Sequence, residues 1–133
     1  MKCIVVTPEK TLVDEDAKFI VAPLYDGEYG IDADHAPVVG RLGVGEMRLT
    51  LANDAVQYWF IDGGILEVVD NVATFLTNRA CPISDLNVEE ARKAVEDANQ
   101  LPMGSLAEVE IRTEALTRAN AQLKAAEKAL TMK

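Results

Sequence analysis

The sequence predicts an α+β protein, an N-terminal antiparallel β-sandwich followed by a C-terminal antiparallel α-helical hairpin, and three observations predict it. Up to about residue 80, apolar and polar side chains alternate in short runs punctuated by Gly, Asp, Asn and Pro, the pattern of strands with one face on a core. After Pro82 the composition changes: from Val88 onward there is no aromatic residue, and Ala, Glu, Lys, Arg and Leu, good helix formers, dominate. Leu101-Pro102-Met103-Gly104 then interrupts the helical pattern once, where a helix must stop and the chain turn. The chain therefore divides into a sandwich domain, residues 1–84, and a helix–turn–helix domain, residues 85–133.

Each element has its own local justification. Residues 3–7, 11–13 and 18–22 fit strands, with Asp14-Glu15-Asp16 as an exposed acidic turn between two of them. Ile4-Val5-Val6 and Phe19-Ile20-Val21 are apolar on both faces, as expected between layers or under a partner. Met47, Leu49 and Leu51 alternate with Arg48, Thr50 and Ala52, and Val56, Tyr58 and Phe60 repeat the pattern after an Asn53-Asp54 turn. Asp62-Gly63-Gly64 reads as a further break, because glycine enters positive φ without a Cβ clash. Ile65 to Val69, a tight Asp70-Asn71 turn and Val72 to Leu76 form a hairpin signature. Short strands at close spacing suit a sandwich or barrel. The helices are expected over about 88–101 and 105–130. Asn87 and Ser105 stand where N-caps belong, each followed three residues later by a glutamate. Val88, Ala91, Val95, Ala98 and Leu101 are expected to face Leu116, Ala119, Leu123, Ala126 and Leu130 across the hairpin. Alanine buries little area against the roughly 1.5–3 kcal/mol of a buried leucine, so a hairpin with this seam reads equally as one that docks weakly and can leave its resting place for another partner and as one that is permanently docked.

The composition narrows the function. The apolar fraction of 49% supports a packed core, and the net charge of −9 disfavours a nucleic-acid surface or a basic membrane-lying helix. Cys3 and Cys81 are far apart and outside any CxxC spacing, as for reduced core or edge residues. The N-terminus runs directly into strand-like residues without a signal-peptide block, and no apolar run approaches the ~20 residues that span a bilayer. A soluble protein in a reducing compartment is the expectation, with no direct membrane insertion.

Catalytic motifs are absent: one histidine, His35, and no P-loop, GxSxG or HExxH. Asp32-Ala33-Asp34-His35 has the residue types of a hydrolytic or metal cluster, but acids in a loop before Pro37 suit solvated turn residues better. No catalytic residue, metal site or cofactor is assigned. Gly27-Glu28-Tyr29-Gly30-Ile31 reads equally as a hairpin turn and as a contact loop presenting a tyrosine anchor.

Gly27-Glu28-Tyr29-Gly30-Ile31, then His35-Ala36-Pro37, then Gly45-Glu46-Met47-Arg48 resemble the GE-x-G, HAP and G-x-(I/L/M)-R pattern of the epsilon-subunit family of F-type ATP synthases. Phe60 to Val68, spanning Gly63-Gly64, resembles that family's strand-GG-strand signature, and Val72 to Ala80 its closing strand. Order and spacing agree to Ala80, and a helical hairpin follows. The resemblance implies a sandwich of about ten strands carrying a helix–turn–helix, and a non-catalytic rotor subunit that binds gamma and the c-ring. It implies that Glu28, Tyr29 and Gly30 contact the c-ring and that His35, Ala36 and Pro37 contact gamma. It also implies that the hairpin acts as a brake on ATP hydrolysis when extended. Arg112, Arg118, Lys124 and Lys128 would then pair with the beta subunit, although the same charges, mixed with glutamates, also suit an ordinary helix surface. Some relatives bind ATP through (I/L)-D-x-x-R-A. The matching Leu86, Asn87, Glu90 and Ala91 replace the acid by Asn and the cation by Glu, so weak or absent ATP binding is expected. The location implied is peripheral, within the synthase on the cytoplasmic side of the bacterial inner membrane. A free-standing sandwich module that self-associates through its helices is the alternative.

Overall fold

The computed structural model describes residues 1–132. It separates into two compact units, Met1–Pro82 and a second beginning at Ile83.

The first unit contains β1 (Lys2–Val6), β2 (Thr11–Leu24), β3 (Gly27–Asp32), β4 (Val38–Leu51), β5 (Val56–Val69), β6 (Val72–Leu76) and β7 (Ala80–Pro82). The order β1-β6-β5-β4-β2-β3, with an added β1–β2 pairing, closes five strands into a flattened barrel. β3 extends it as an edge beyond β2, and β7 lies on β5. Two features refine the expected sandwich. One pair is parallel, β1 with β6 from Lys2↔Val72 to Val6↔Leu76, because β6 returns beside β1 only after the intervening strands have wound round the core. Seven continuous strands stand where about ten were implied, since β2, β4 and β5 are each 14 residues long and serve both layers.

This continuity corrects three local expectations. Residues 11–13 and 18–22 belong to one strand, so Asp14, Glu15 and Asp16 are exposed strand residues rather than a turn, and Lys2 Nζ reaches Asp14 at 3.1 Å. Gly27 to Ile31 is neither turn nor loop but most of β3, paired to β2 from Leu24↔Gly27 to Phe19↔Asp32. Asp62-Gly63-Gly64 does not end a strand. The β4–β5 register runs unbroken from Val38↔Val68 to Thr50↔Val56, while the partner on the other edge of β5 changes from β6 to β7.

That change of partner is a corner, and the glycines make it. Before it Trp59 and Ile61 pack on the core cluster; after it Leu66 and Val68 do, so the inward face shifts from odd to even residues. β4 shifts likewise, from Leu42 to Met47 and Leu49, through Gly43-Val44-Gly45. Val56, Tyr58 and Phe60 therefore do not line the core cluster as a set; Phe60 is fully buried, but Val56 is exposed. Gly63 and Gly64 take φ of 70° and 115°. The connection after β6 crosses so close to Gly64 that an added Cβ would meet Leu76 O and come within 2.8 Å of Thr77 Cα. Thr77, itself buried, ties the crossing down: its hydroxyl donates to Gly63 O at 2.6 Å, and its N–H donates to Val6 O at 3.0 Å. The core is apolar, with Cys3, Val5, Ile20, Ile31, Met47, Leu49, Ala73 and Phe75 fully buried. Burial pushes the Cys3 thiol up to about 12, so it stays protonated, and neither it nor Cys81 is in a disulfide.

The second unit opens with a 3-10 turn, Ile83–Asp85, followed by α1 (Val88–Asn99) and α2 (Leu106–Thr131). Asn87 Oδ1 accepts from Glu90 N at 3.0 Å and Ser105 Oγ from Glu108 N at 3.1 Å, so both expected caps form. The buried helix positions are alanines: Ala91, Ala98, Ala119, Ala125, Ala126 and Ala129. Leu130 does not join the seam and is 57% exposed, and Leu116 and Leu123 are only half-buried. α1 has 12 residues and α2 has 26, so at about 1.5 Å per residue α2 runs on roughly 20 Å past the start of α1, and Leu130 has no α1 residue opposite it. No helix among the described residues is long and apolar enough to cross a membrane.

Candidate functional site

The GE-x-G and HAP segments are adjacent in sequence, and the fold fuses them. β3 is an edge strand, which leaves Gly27, Glu28 and Gly30 exposed while Ile31 is buried in the core. Gly30 has a packing reason to lack a side chain, because a Cβ there would lie 2.9 Å from the tip of the Phe19 ring. Tyr29, on the other face of the strand, is half-buried, and its hydroxyl lies 3.0 Å from His35 Nε2. The two rings meet edge-on, with centroids 5.5 Å apart and planes at 71°.

His35 Nδ1 lies 2.6 Å from Ala36 O. A carbonyl oxygen can only accept, so Nδ1 carries the proton; in the neutral ring Nε2 then accepts from the Tyr29 hydroxyl. Both imidazole nitrogens are engaged by protein groups, which leaves neither directed at a substrate or metal. Asp32 and Asp34 are both exposed; Asp34 lies in the turn as expected, whereas Asp32 is the last residue of β3, paired with Phe19. Tyr29, from the expected c-ring contact, and His35, from the expected gamma contact, thus form one constellation, with Ala36 and Pro37 exposed beside it.

A further residue completes it, one that sequence reasoning treated only as part of a turn. Asn71 Oδ1 accepts from Asp34 N at 2.8 Å, which ties the loop 33–37 to the β5–β6 hairpin. Asp34, Asp70 and Asn71 all take positive φ, at 61°, 50° and 63°. Two adjacent positive φ values make the hairpin connection a type I′ turn, whose second position glycine suits best. An asparagine there was the available signal.

Beside this ridge the outward face of β4, β5 and β6 exposes apolar side chains. Val39 is 70% exposed, and Ile65, Val69 and Leu76 are also open. Pro37, Val38, Val39, Glu67, Val68 and Val69 line a shallow groove on it. At the adjoining corner Tyr25, 67% exposed, is capped by the Arg41 guanidinium 4.0 Å from its ring centroid. Sequence reading passed over both features, because single exposed apolar residues only become a patch once the register aligns them.

The helical candidates lie apart from one another. Arg112 Nη2 donates to Asn99 O and Oδ1, both at 3.4 Å, so its guanidinium closes the end of α1 within the folded hairpin. Arg118 and Lys124 are exposed on α2, and Lys128 is half-buried. In the degenerate nucleotide motif Asn87 spends its side chain on the helix cap, Glu90 is exposed and Ala91 is buried in the seam.

Comparison with known proteins supplies the remaining constraint. Residues 1–83 match the family described as ATP synthase, Delta/Epsilon chain, beta-sandwich domain. An ATP synthase epsilon chain of Rhodopirellula baltica is 40% identical over 125 residues, covering 94% of this chain and 97% of the relative. The sodium ion specific ATP synthase epsilon chain of Propionigenium modestum is 38% identical over 96 residues, covering 72% of this chain and 69% of the relative. A chain in the Euglena gracilis mitochondrial ATP synthase structure, described as OSCP/F1/c-ring, shares the fold with a TM-score of 0.83 at 24% identity, covering 94% of this chain and 79% of that one.

Proposed function

The chain belongs to the epsilon-chain family of ATP synthases, and from that premise we propose that it is the non-catalytic coupling subunit of the rotor's central stalk. Its partners are the gamma subunit and the c-ring, and it turns with both, while the chemistry resides in the catalytic subunits elsewhere in the complex. The bacterial inner membrane carries the complex, with this subunit peripheral on the cytoplasmic side.

One observation carries the reading. The Tyr29–His35 bond joins the exposed edge strand to the loop 33–37, so the segments that face two different partners belong to one rigid body. Glu28, Tyr29 and Gly30 meet the polar loops of the c-ring. His35, Ala36 and Pro37, continued by the apolar groove at Val39 and Val69, meet gamma. β3 is laddered on one side only, but its partner β2 belongs to the closed barrel, whose strands cannot slip without breaking a ladder on both sides, and the Tyr29–His35 bond ties β3 to the loop that follows, so the ridge passes torque to a body that resists shear.

The hairpin is the regulatory arm. Folded, it permits hydrolysis; extended beside gamma, it opposes rotation in the hydrolytic direction, with Arg118, Lys124 and Lys128 pairing to the beta subunit. Arg112 joins them when α1 and α2 part and its Nη2 leaves Asn99.

The contact assignment is tested by titrating gamma with variants of the full chain. His35→Ala removes both the ring and the clasp and is expected to weaken gamma binding by about 1–2 kcal/mol, some tenfold. Tyr29→Phe loses one hydrogen bond and is expected to cost about 0.5–1.5 kcal/mol. Unchanged affinity in His35→Ala would remove the loop from the interface.

A further inference from the structure

We infer that Asn71 is a positioning residue for the partner-binding loop 33–37, holding it in its bound shape from the tip of a different hairpin. The inference rests on the reading that this loop contacts gamma.

Between Asp32, the end of β3, and Val38, the start of β4, the chain has no strand ladder to hold it. Its amide at Asp34 is nevertheless satisfied, by a side chain 37 positions away in sequence. Asp34 takes a φ of 61°, a left-handed conformation that aspartate tolerates better than most residues and that a hydrogen bond to its amide helps to hold. The acceptor is Asn71 Oδ1 at 2.8 Å, and its own base is firm: Asn71 O accepts from Lys2 N at 3.1 Å, which anchors the turn to β1. Directly after Asp34 comes His35, whose ring is clamped between Tyr29 and Ala36 O. The imidazole is thus held from two sides, through its own nitrogens and through the backbone of the residue before it.

The residue type at 71 argues for the side chain. A type I′ turn with φ of 63° at its second position is served best by glycine, which pays no Cβ penalty there. Asparagine is tolerated in that conformation and adds an amide oxygen that glycine lacks. The turn alone does not call for it, but the loop does. A loop held in its binding conformation loses less freedom on association, so the effect belongs in partner affinity rather than in fold stability.

Asn71→Gly separates the two roles, because it deletes the oxygen while suiting the turn. The expected result is an unfolding midpoint equal to or above that of the wild-type chain, with gamma affinity reduced about five- to tenfold. Exchange of the Asp34 amide should accelerate by at least about tenfold while that of Val72, on the ladder beside the turn, stays unchanged. Unaltered gamma affinity in Asn71→Gly, alongside a loss in His35→Ala, overturns the positioning role and leaves the contact reading intact. Unaltered affinity in both variants overturns the contact reading and the positioning role with it. Should Asn71→Gly fail to fold, the wild-type chain decides: a protected Asp34 amide supports the pin, and exchange at the rate of an open amide overturns it.

Discussion

Gly64→Ala is expected to destabilise the sandwich unit by about 3–5 kcal/mol, combining the strain of an L-residue at its φ of 115° with the separation of two backbone segments. The new methyl group would be directed at Leu76 O and Thr77 Cα, and backbone cannot rotate aside as a side chain can. Against a typical domain stability of roughly 5–15 kcal/mol, that leaves a small margin or none. Gly63→Ala is the control. Its φ is 70°, but the nearest atom to an added Cβ is Asn78 Nδ2 at 3.7 Å, so only the left-handed strain of about 1–2 kcal/mol remains. Urea unfolding followed by the fluorescence of Trp59, which pairs with Pro82 at this corner, distinguishes the two. Equal losses in the two variants would mean that the β6–β7 crossing does not set the corner.

Ending the chain at Ser84 is expected to raise ATP hydrolysis by the reconstituted complex about three- to tenfold, by removing the arm that holds part of the population in a blocked state. Gamma binding should survive the truncation, because the proposed contact ridge lies wholly within the unit Met1–Pro82. The physical basis is the seam. Its buried side chains are alanines, while Leu106, Ile111 and Leu130 remain exposed on α2, so the folded hairpin has little area to lose on opening and apolar surface to gain with a partner. Unchanged hydrolysis would refute the brake while leaving the coupling role untouched.

How far the fold could be read in advance depended on whether the governing contact was local. The caps at Asn87 and Ser105 and the Asp70-Asn71 turn are decided within a few residues, and the chain spelled them out. Asp62-Gly63-Gly64 also announced itself, but as the wrong thing. Positive φ is local, whereas the strand's survival through it depends on β4 keeping register alongside. Val56, Tyr58 and Phe60 misled for a different reason, since both faces of this stretch carry apolar residues and it is Trp59 and Ile61, on the alternate face, that pack on the core cluster. The parallel β1–β6 pair carries no local mark at all. At the site, Glu28, Tyr29 and His35 stood out through the resemblance. That Tyr29 and His35 bond to each other depends on how the loop 33–37 turns back along β3, and that Asn71 reaches Asp34 depends on two hairpins meeting and is written in neither segment alone.

Co-expression of the full chain with gamma, followed by the mass and stoichiometry of the purified product, separates a rotor subunit from a free-standing module. A one-to-one complex that persists through size exclusion and that His35→Ala weakens is expected. A chain that elutes as a homodimer, with gamma in other fractions, would contradict the rotor reading.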